Sequence, residues 1–148
     1  VLNFINGNIF SSKCDAIVNT VNCVGVMGKG LALQVKTLFP SVFEEYKKDC
    51  NNGNVKTGEI LYYSTGKNDT KIIINFPTKQ HWKDKSRLEW IDSGLKALRL
   101  ILIELAPVSV AIPKLGCQNG GLEWPDVKKL IIDNLDKLPS YIKIDVYE

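Results

Sequence analysis

At 148 residues the chain is sized for one compact domain with a substantial core, expected to span residues 1–148. Its 45% hydrophobic and 24% charged content excludes a disordered or fibrous class, and no run approaches the ~20 apolar residues that cross a bilayer. The formal net charge of +3 permits a polyanionic partner without requiring one. Cys14, Cys23, Cys50 and Cys117 are widely spaced, and with one His in the chain they argue against a zinc site. Free thiols fit a reducing, cytoplasmic setting, and no secretory signal pattern opens the sequence. The chain begins at Val1, without Met, inside what reads as a strand, as an excised domain would.

In chain order, residues 1–5 and 16–20 read as strands. A helix is expected from about Gly30, burying Leu31, Val35 and Leu38. Ser41 and Glu44 have capping-box spacing and predict a short helix through Phe43 and Tyr46. Residues 60–64 and 71–76 read as strands. Ser86 and Glu89 form a second capping-box pattern. Beyond them Leu88, Ile91, Leu95, Leu98, Leu102 and Leu105 recur at spacings of three and four as a buried stripe, and Pro107 closes the run. A strand over 108–113 follows, then a helix after Pro125 with Val127, Leu130, Ile131 and Leu135 inward. Residues 142–147 alternate apolar and polar, as in a half-buried strand. The alternation predicts a three-layer α/β/α domain on a central, mixed, largely parallel six-stranded sheet, with ligands beyond the carboxyl ends of the strands.

Two glycine-rich loops leave such strand ends. The first reads Asn22-Cys23-Val24-Gly25-Val26-Met27-Gly28-Lys29-Gly30, the second Leu115-Gly116-Cys117-Gln118-Asn119-Gly120-Gly121. Glycines let backbone approach a ligand closely, and a helix start offers unpaired N–H groups to phosphate. Either loop alone reads as a tight turn; two at strand exits point to a binding site. Neither carries the P-loop or the dinucleotide-binding spacing, which argues against an ATPase or a dehydrogenase.

The segments Asn6-Gly7-Asn8-Ile9-Phe10 and Asp15-Ala16-Ile17-Val18-Asn19-Thr20-Val21-Asn22 resemble the macrodomain signature. The stretch 19–30, with Asn75-Phe76-Pro77-Thr78-Lys79-Gln80-His81-Trp82 and residues 115–124, resembles the DarG group of DNA ADP-ribosyl glycohydrolase antitoxins and, more distantly, the terminal ADP-ribose protein glycohydrolases. The resemblance implies a monomeric macrodomain that needs neither metal nor other cofactor. Its ligands would be ADP-ribose and ADP-ribosylated single-stranded DNA, its partner a cognate DNA ADP-ribosyltransferase toxin, and no membrane is involved. Gly25, Val26, Met27, Gly28, Lys29 and Gly30 would wrap the diphosphate and distal ribose. Leu115, Gly116, Cys117, Gln118, Asn119, Gly120 and Gly121 would close over the phosphates. Asn8, Ile9 and Thr78 join this set; Asn8 stands where many macrodomains carry an Asp, and its side-chain carbonyl would receive the adenine amino group.

The resemblance makes Lys79 and Asn22 the catalytic candidates, Asn22 through the distal ribose hydroxyls. On residue type alone, Lys79 is one of many lysines and Asn22 a turn-capping Asn. An ordinary lysine, near pKa ~10.4, is neutral in only about one molecule per few thousand at pH 7. Covalent attack by the amine and electrostatic or proton-donor work by the ammonium both remain open. The family's protein-glutamate glycohydrolases carry an aspartate where this chain has Gly120, which argues against a strict Lys/Asp pair here. Asp126 reads as a first-turn carboxylate of the following helix. His81, Trp82, Lys83 and Lys85 mix aromatic and basic side chains, as single-stranded DNA contacts do, or else Trp82 packs on the core among solvated charges. The expected activity is removal of ADP-ribose from thymine bases of single-stranded DNA, with protein-ester hydrolysis or passive ADP-ribose reading as alternatives.

Overall fold

The structure is a computed structural model that describes all residues from Val1 to Glu148. Its strands are β1 (Leu2–Ile5), β2 (Ala16–Val21), β3 (Leu61–Ser64), β4 (Ile72–Pro77), β5 (Val108–Ile112) and β6 (Ile142–Tyr147). They form one sheet in the order β1-β6-β5-β2-β4-β3. Every neighbouring pair is parallel except β3 on β4. The helices are α1 (Gly30–Leu38), α2 (Pro40–Asn51), α3 (Leu88–Leu105) and α4 (Trp124–Leu135). None is long and apolar enough to cross a membrane.

Strand alternation sorts the apolar residues into two cores. Ala16, Val18, Ile74, Phe76, Val110 and Ile112 turn to one face and meet Ile91, Leu95, Leu98 and Leu102 of α3 and Val127, Ile131 and Leu135 of α4. Ile17, Val21, Ile73 and Ala111 turn to the other, beneath Val35 of α1 and Val42 and Tyr46 of α2. The result is the expected three-layer α/β/α arrangement. Because β2, β4 and β5 run parallel, their carboxyl ends open on one edge of the sheet, where both glycine loops emerge.

Four local expectations fail, the first at Leu88, which opens α3 37% exposed rather than joining its buried stripe. Arg87, in extended conformation, is the N-cap of α3, and no side chain caps that helix. Ser86 is engaged elsewhere: its N–H donates to the Gly120 carbonyl at 2.9 Å and its side chain is buried. Glu89 pairs instead with Arg87 on the surface, at 3.7 Å. The Ser41 box fails because Pro40 takes the first turn of α2 and Phe39 is its N-cap, leaving Ser41 inside the helix. In α1 only Val35 is fully buried, with Ala32 packed beside it, and Leu38 is 44% exposed.

Candidate active site

Beyond the strand ends lies a cavity of about 710 Å³. Its walls come from the tails of β1 and β6, the β2–α1 loop with the start of α1, the β4–α3 loop and the β5–α4 loop.

The first glycine loop is shaped from below by Asn22. Its Oδ1 accepts from the N–H groups of Val24 (3.1 Å) and Val26 (3.3 Å), and its amide donates to the Val26 carbonyl at 2.8 Å. Fully buried Tyr46 donates its hydroxyl to the Asn22 backbone and side-chain oxygens, 2.8 Å from each. Burial holds the Tyr46 phenol well above its usual range, so it stays a donor. Asn22 is thus mostly spent on the loop, keeping one amide hydrogen beside the cavity it lines.

The second loop turns at Gly116, whose φ of +72° suits glycine. The Gly116 carbonyl accepts from Leu122 N–H at 2.9 Å. Gly120 has no room for a side chain, because a Cβ there would collide with the Ser86 hydroxyl and the Gly116 carbonyl. No carboxylate can therefore extend from position 120 while the loop keeps this shape.

Lys79 reaches the cavity because the pairing of β2 with β4 continues past the sheet. Thr78 N–H donates to Val21 O (3.0 Å), and Cys23 N–H donates to Gln80 O (2.9 Å). The Lys79 amine donates to two backbone carbonyls, of Trp82 (3.2 Å) and of Asn119 (3.3 Å). With two of its tetrahedral directions held, a further N–H is left for a ligand. Desolvation, then the positive charge of Lys29, push the Lys79 pKa below the ordinary lysine value, against an opposing pull from Asp84. Burial lifts the Cys23 thiol, beside the Lys79 carbonyl, to about 11.

The cavity lining carries three lysines (Lys29, Lys79 and Lys114) and a single carboxylate, Glu148. That carboxylate is engaged, accepting from Lys128 Nζ at 2.7 Å and from Trp124 Nε1 at 3.2 Å. These contacts, led by the Lys128 hydrogen bond, hold its pKa below the ordinary glutamate value. The cavity suits a polyanion, and no free acid lines it beside Lys79; Asp84, close enough to act on the Lys79 charge, stands outside the lining. No group of three His, Cys, Asp or Glu side chains that could hold a metal ion occurs in the molecule.

Of the residues expected to bind ADP-ribose, Asn8, Ile9, Asn22, Val26, Gly28, Lys29, Gly30, Thr78, Gly116, Cys117, Gln118, Asn119 and Gly120 line this cavity, with Lys79. Four others do not. Met27 and Leu115 are core side chains, 1% and 0% exposed, so only their backbone can serve a ligand. Gly25 packs on Lys47 and Cys50 of α2, and Gly121 faces Lys85. Asn8 Oδ1 accepts from Phe10 N–H at 2.9 Å, leaving one lone pair and both amide hydrogens.

Trp82 does not pack on the core; it is 48% exposed at the cavity wall. His81 stands 5.1 Å from it, ring to ring, and the Lys83 ammonium 5.0 Å over its ring. His81, Lys83 and Lys85 lie outside the cavity lining. Sequence reasoning overlooked Phe10, Gln34, Pro113, Lys114, Tyr147 and Glu148 as wall residues. Several follow β5 or end β6, so the rule that ligands sit at carboxyl ends of strands was the available signal.

The Macro domain family profile matches residues 18–131. A Thermus aquaticus protein named DNA ADP-ribosyl glycohydrolase is 46% identical over all of this chain, which covers 41% of that protein. The chain thus spans about two fifths of the length of the DNA ADP-ribosyl glycohydrolases it matches. The solved macrodomain of Mycobacterium tuberculosis DarG superposes with a TM-score of 0.95 at 44% identity, covering 99% of this chain and 97% of that one. Thermosipho africanus DarTG, solved in complex with ADP-ribose, superposes with a TM-score of 0.90 at 35% identity, covering 99% of this chain and 41% of that one.

Proposed function

The chain belongs to the macrodomain family, and we propose that it hydrolyses the N-glycosidic bond joining ADP-ribose to thymine in single-stranded DNA, opposing a cognate DNA ADP-ribosyltransferase toxin. The observation that carries the reading is the lysine at the cavity wall, aimed by two carbonyls and with no free carboxylate lining the cavity beside it. The names of the relatives, DNA ADP-ribosyl glycohydrolase, support the bond and the substrate class. A relative named as a fusion of the transferase and the glycohydrolase supports the toxin partner.

The glycine loops hold the diphosphate with backbone N–H groups and place the distal ribose before Lys79. A water oxygen bonds to the anomeric carbon, and the carbon–nitrogen bond breaks with its electron pair going to the base. The departing base needs a proton. The Lys79 ammonium supplies it through the N–H not spent on Trp82 and Asn119, and the proton released by the attacking water balances the step. Asn22 positions the first loop and offers its remaining amide hydrogen to a ribose hydroxyl. Trp82 gives the neighbouring bases a stacking face, and Lys83 and Lys85 meet the phosphodiester backbone.

The test runs two substrates in parallel: a single-stranded oligonucleotide ADP-ribosylated on thymine, and a protein carrying ADP-ribose esters on its carboxylates. The expected result is free ADP-ribose with unmodified oligonucleotide. Release from the protein alone would make the chain an ester hydrolase, and ADP-ribose binding without release would make it a reader; either overturns the proposal.

A further inference from the structure

The cavity has two ends, and the one away from Lys79 carries an acceptor that the reaction does not use. Parallel pairing of β1 with β6 runs to Ile5 opposite Tyr147, and Glu148 N–H donates to the Ile5 carbonyl at 2.9 Å. The chain beyond that pair, Gly7 to Phe10 on one side and Glu148 on the other, leaves the sheet at one corner, and with Tyr147 it lines the cavity. A Cβ at Gly7 would stand 4.0 Å from the Tyr147 ring. In the strand order β6-β5-β2-β4, three steps separate this corner from the end of β4 that leads to Lys79. At about 4.8 Å per step the two ends lie roughly 14 Å apart. The glycine loops, which follow β2 and β5, lie between them. A ligand with its distal ribose before Lys79 and its diphosphate between the loops brings its nucleoside to the β1–β6 corner.

That corner holds the only carboxylate of the cavity lining. Lys128 Nζ (2.7 Å) and Trp124 Nε1 (3.2 Å) both donate to Glu148 Oε1, and no group in the molecule donates to Oε2. One oxygen pins the side chain, and the other is left as a charged acceptor. A carboxylate repels phosphate, so the part of the ligand beside it is neutral and donates a hydrogen bond. Ile9, Phe10 and Tyr147 add apolar surface at the same corner, which suits a flat base. Asn8 is the weaker acceptor there, because its Oδ1 already receives the Phe10 N–H at 2.9 Å and carries no charge. Building on the proposed function, we propose that Glu148 determines which base the cavity takes: its Oε2 accepts the exocyclic amine of adenine, and a base with a carbonyl in that place is refused.

The test is calorimetric titration of the full chain with ADP-ribose and with inosine diphosphate ribose, in which a carbonyl replaces the amine. A hydrogen bond to a charged acceptor should favour ADP-ribose by about 10- to 100-fold. Glu148→Gln keeps an oxygen for Lys128 and Trp124 and can turn its amide hydrogens toward a carbonyl. That variant, its fold checked by melting temperature, should weaken ADP-ribose, keep or improve the inosine ligand and close most of the gap. An unmutated protein that binds both ligands alike overturns the inference. So does a gap that survives in Glu148→Gln, and a survival there paired with closure in Asn8→Ala would give the amine to Asn8. An equal loss for both ligands also overturns it, since that describes a carboxylate that braces the wall or meets a ribose hydroxyl. Failure of the unmutated chain to bind ADP-ribose at all would refute the proposed function as well. Turnover plays no part in the titration, so a protein that binds ADP-ribose but leaves modified DNA intact would fail the proposed function alone, with the choice of base still measured.

Discussion

Replacing Gly120 with Ala adds one methyl group at the most crowded point of the second loop. The new Cβ would collide with the Ser86 hydroxyl and the Gly116 carbonyl, and it would also stand 2.9 Å from the Gly116 carbonyl carbon. The hydroxyl is a side chain and can rotate. The carbonyl is backbone, fixed by the 2.9 Å bond from Leu122 N–H, so it cannot step aside cheaply. Overpacking of this kind costs about 1–3 kcal/mol. In a domain near 150 residues each kcal/mol lowers Tm by about 2–4 °C, so the expected fall is roughly 2–12 °C. Ser86 separates the two contacts. Its hydroxyl is buried without a partner, so Ser86→Ala alone should leave stability unchanged or slightly raised. The double variant should recover only part of the loss, because the carbonyl remains. Asn119 precedes Gly120 and holds Lys79, so turnover should fall in both Gly120 variants. Calorimetric melting with a single-turnover assay checks each point. A Gly120→Ala protein with unmutated Tm and rate would refute the description of this loop.

Gly28→Ala is the contrasting case: its Cβ would meet only Val26 Cγ1 at 3.4 Å, so the fold should hold while ADP-ribose affinity, read by titration calorimetry, weakens. Tyr46→Phe removes the donor to Asn22 and should cost about 1 kcal/mol in denaturant unfolding, with weaker ADP-ribose binding as the first loop loosens. Trp82→Ala should lose about 1–3 kcal/mol of affinity for single-stranded DNA, and Lys83→Glu or Lys85→Glu should flatten its salt dependence. Unchanged affinity in all three, by fluorescence anisotropy, would return the loop to a solvated surface.

The strands were legible because alternation and continuous apolar runs report burial directly; β6 occupies the expected residues, and other strand ends differ by a residue at most. The serine caps were not, because the competing partners are distant in sequence. Ser86 is claimed by Gly120, and Ser41 is displaced by Pro40. Leu38 reads as core by spacing, yet the chain turns at Phe39, which takes the buried place instead. The glycine loops showed where the cavity would be, but Met27 and Leu115 sit within them as anchors to the two cores. Nothing in residues 78–82 announces that the Lys79 amine is held by Asn119 from another loop, since that contact exists only once β4 and β5 share an edge.

The central claim is that Lys79 works on the bond being broken rather than on the ground-state ligand. Its most direct test is single-turnover release of ADP-ribose from a thymine-modified oligonucleotide by the unmutated chain, Lys79→Ala and Lys79→Arg, beside their ADP-ribose affinities. Loss of a general acid slows a reaction about 10²–10⁴-fold, while a group acting mainly in the transition state leaves ground-state affinity little changed. Arginine keeps the charge but does not give up its proton, so Lys79→Arg should be slowed nearly as much as Lys79→Ala. Release by Lys79→Ala at the unmutated rate would contradict the account.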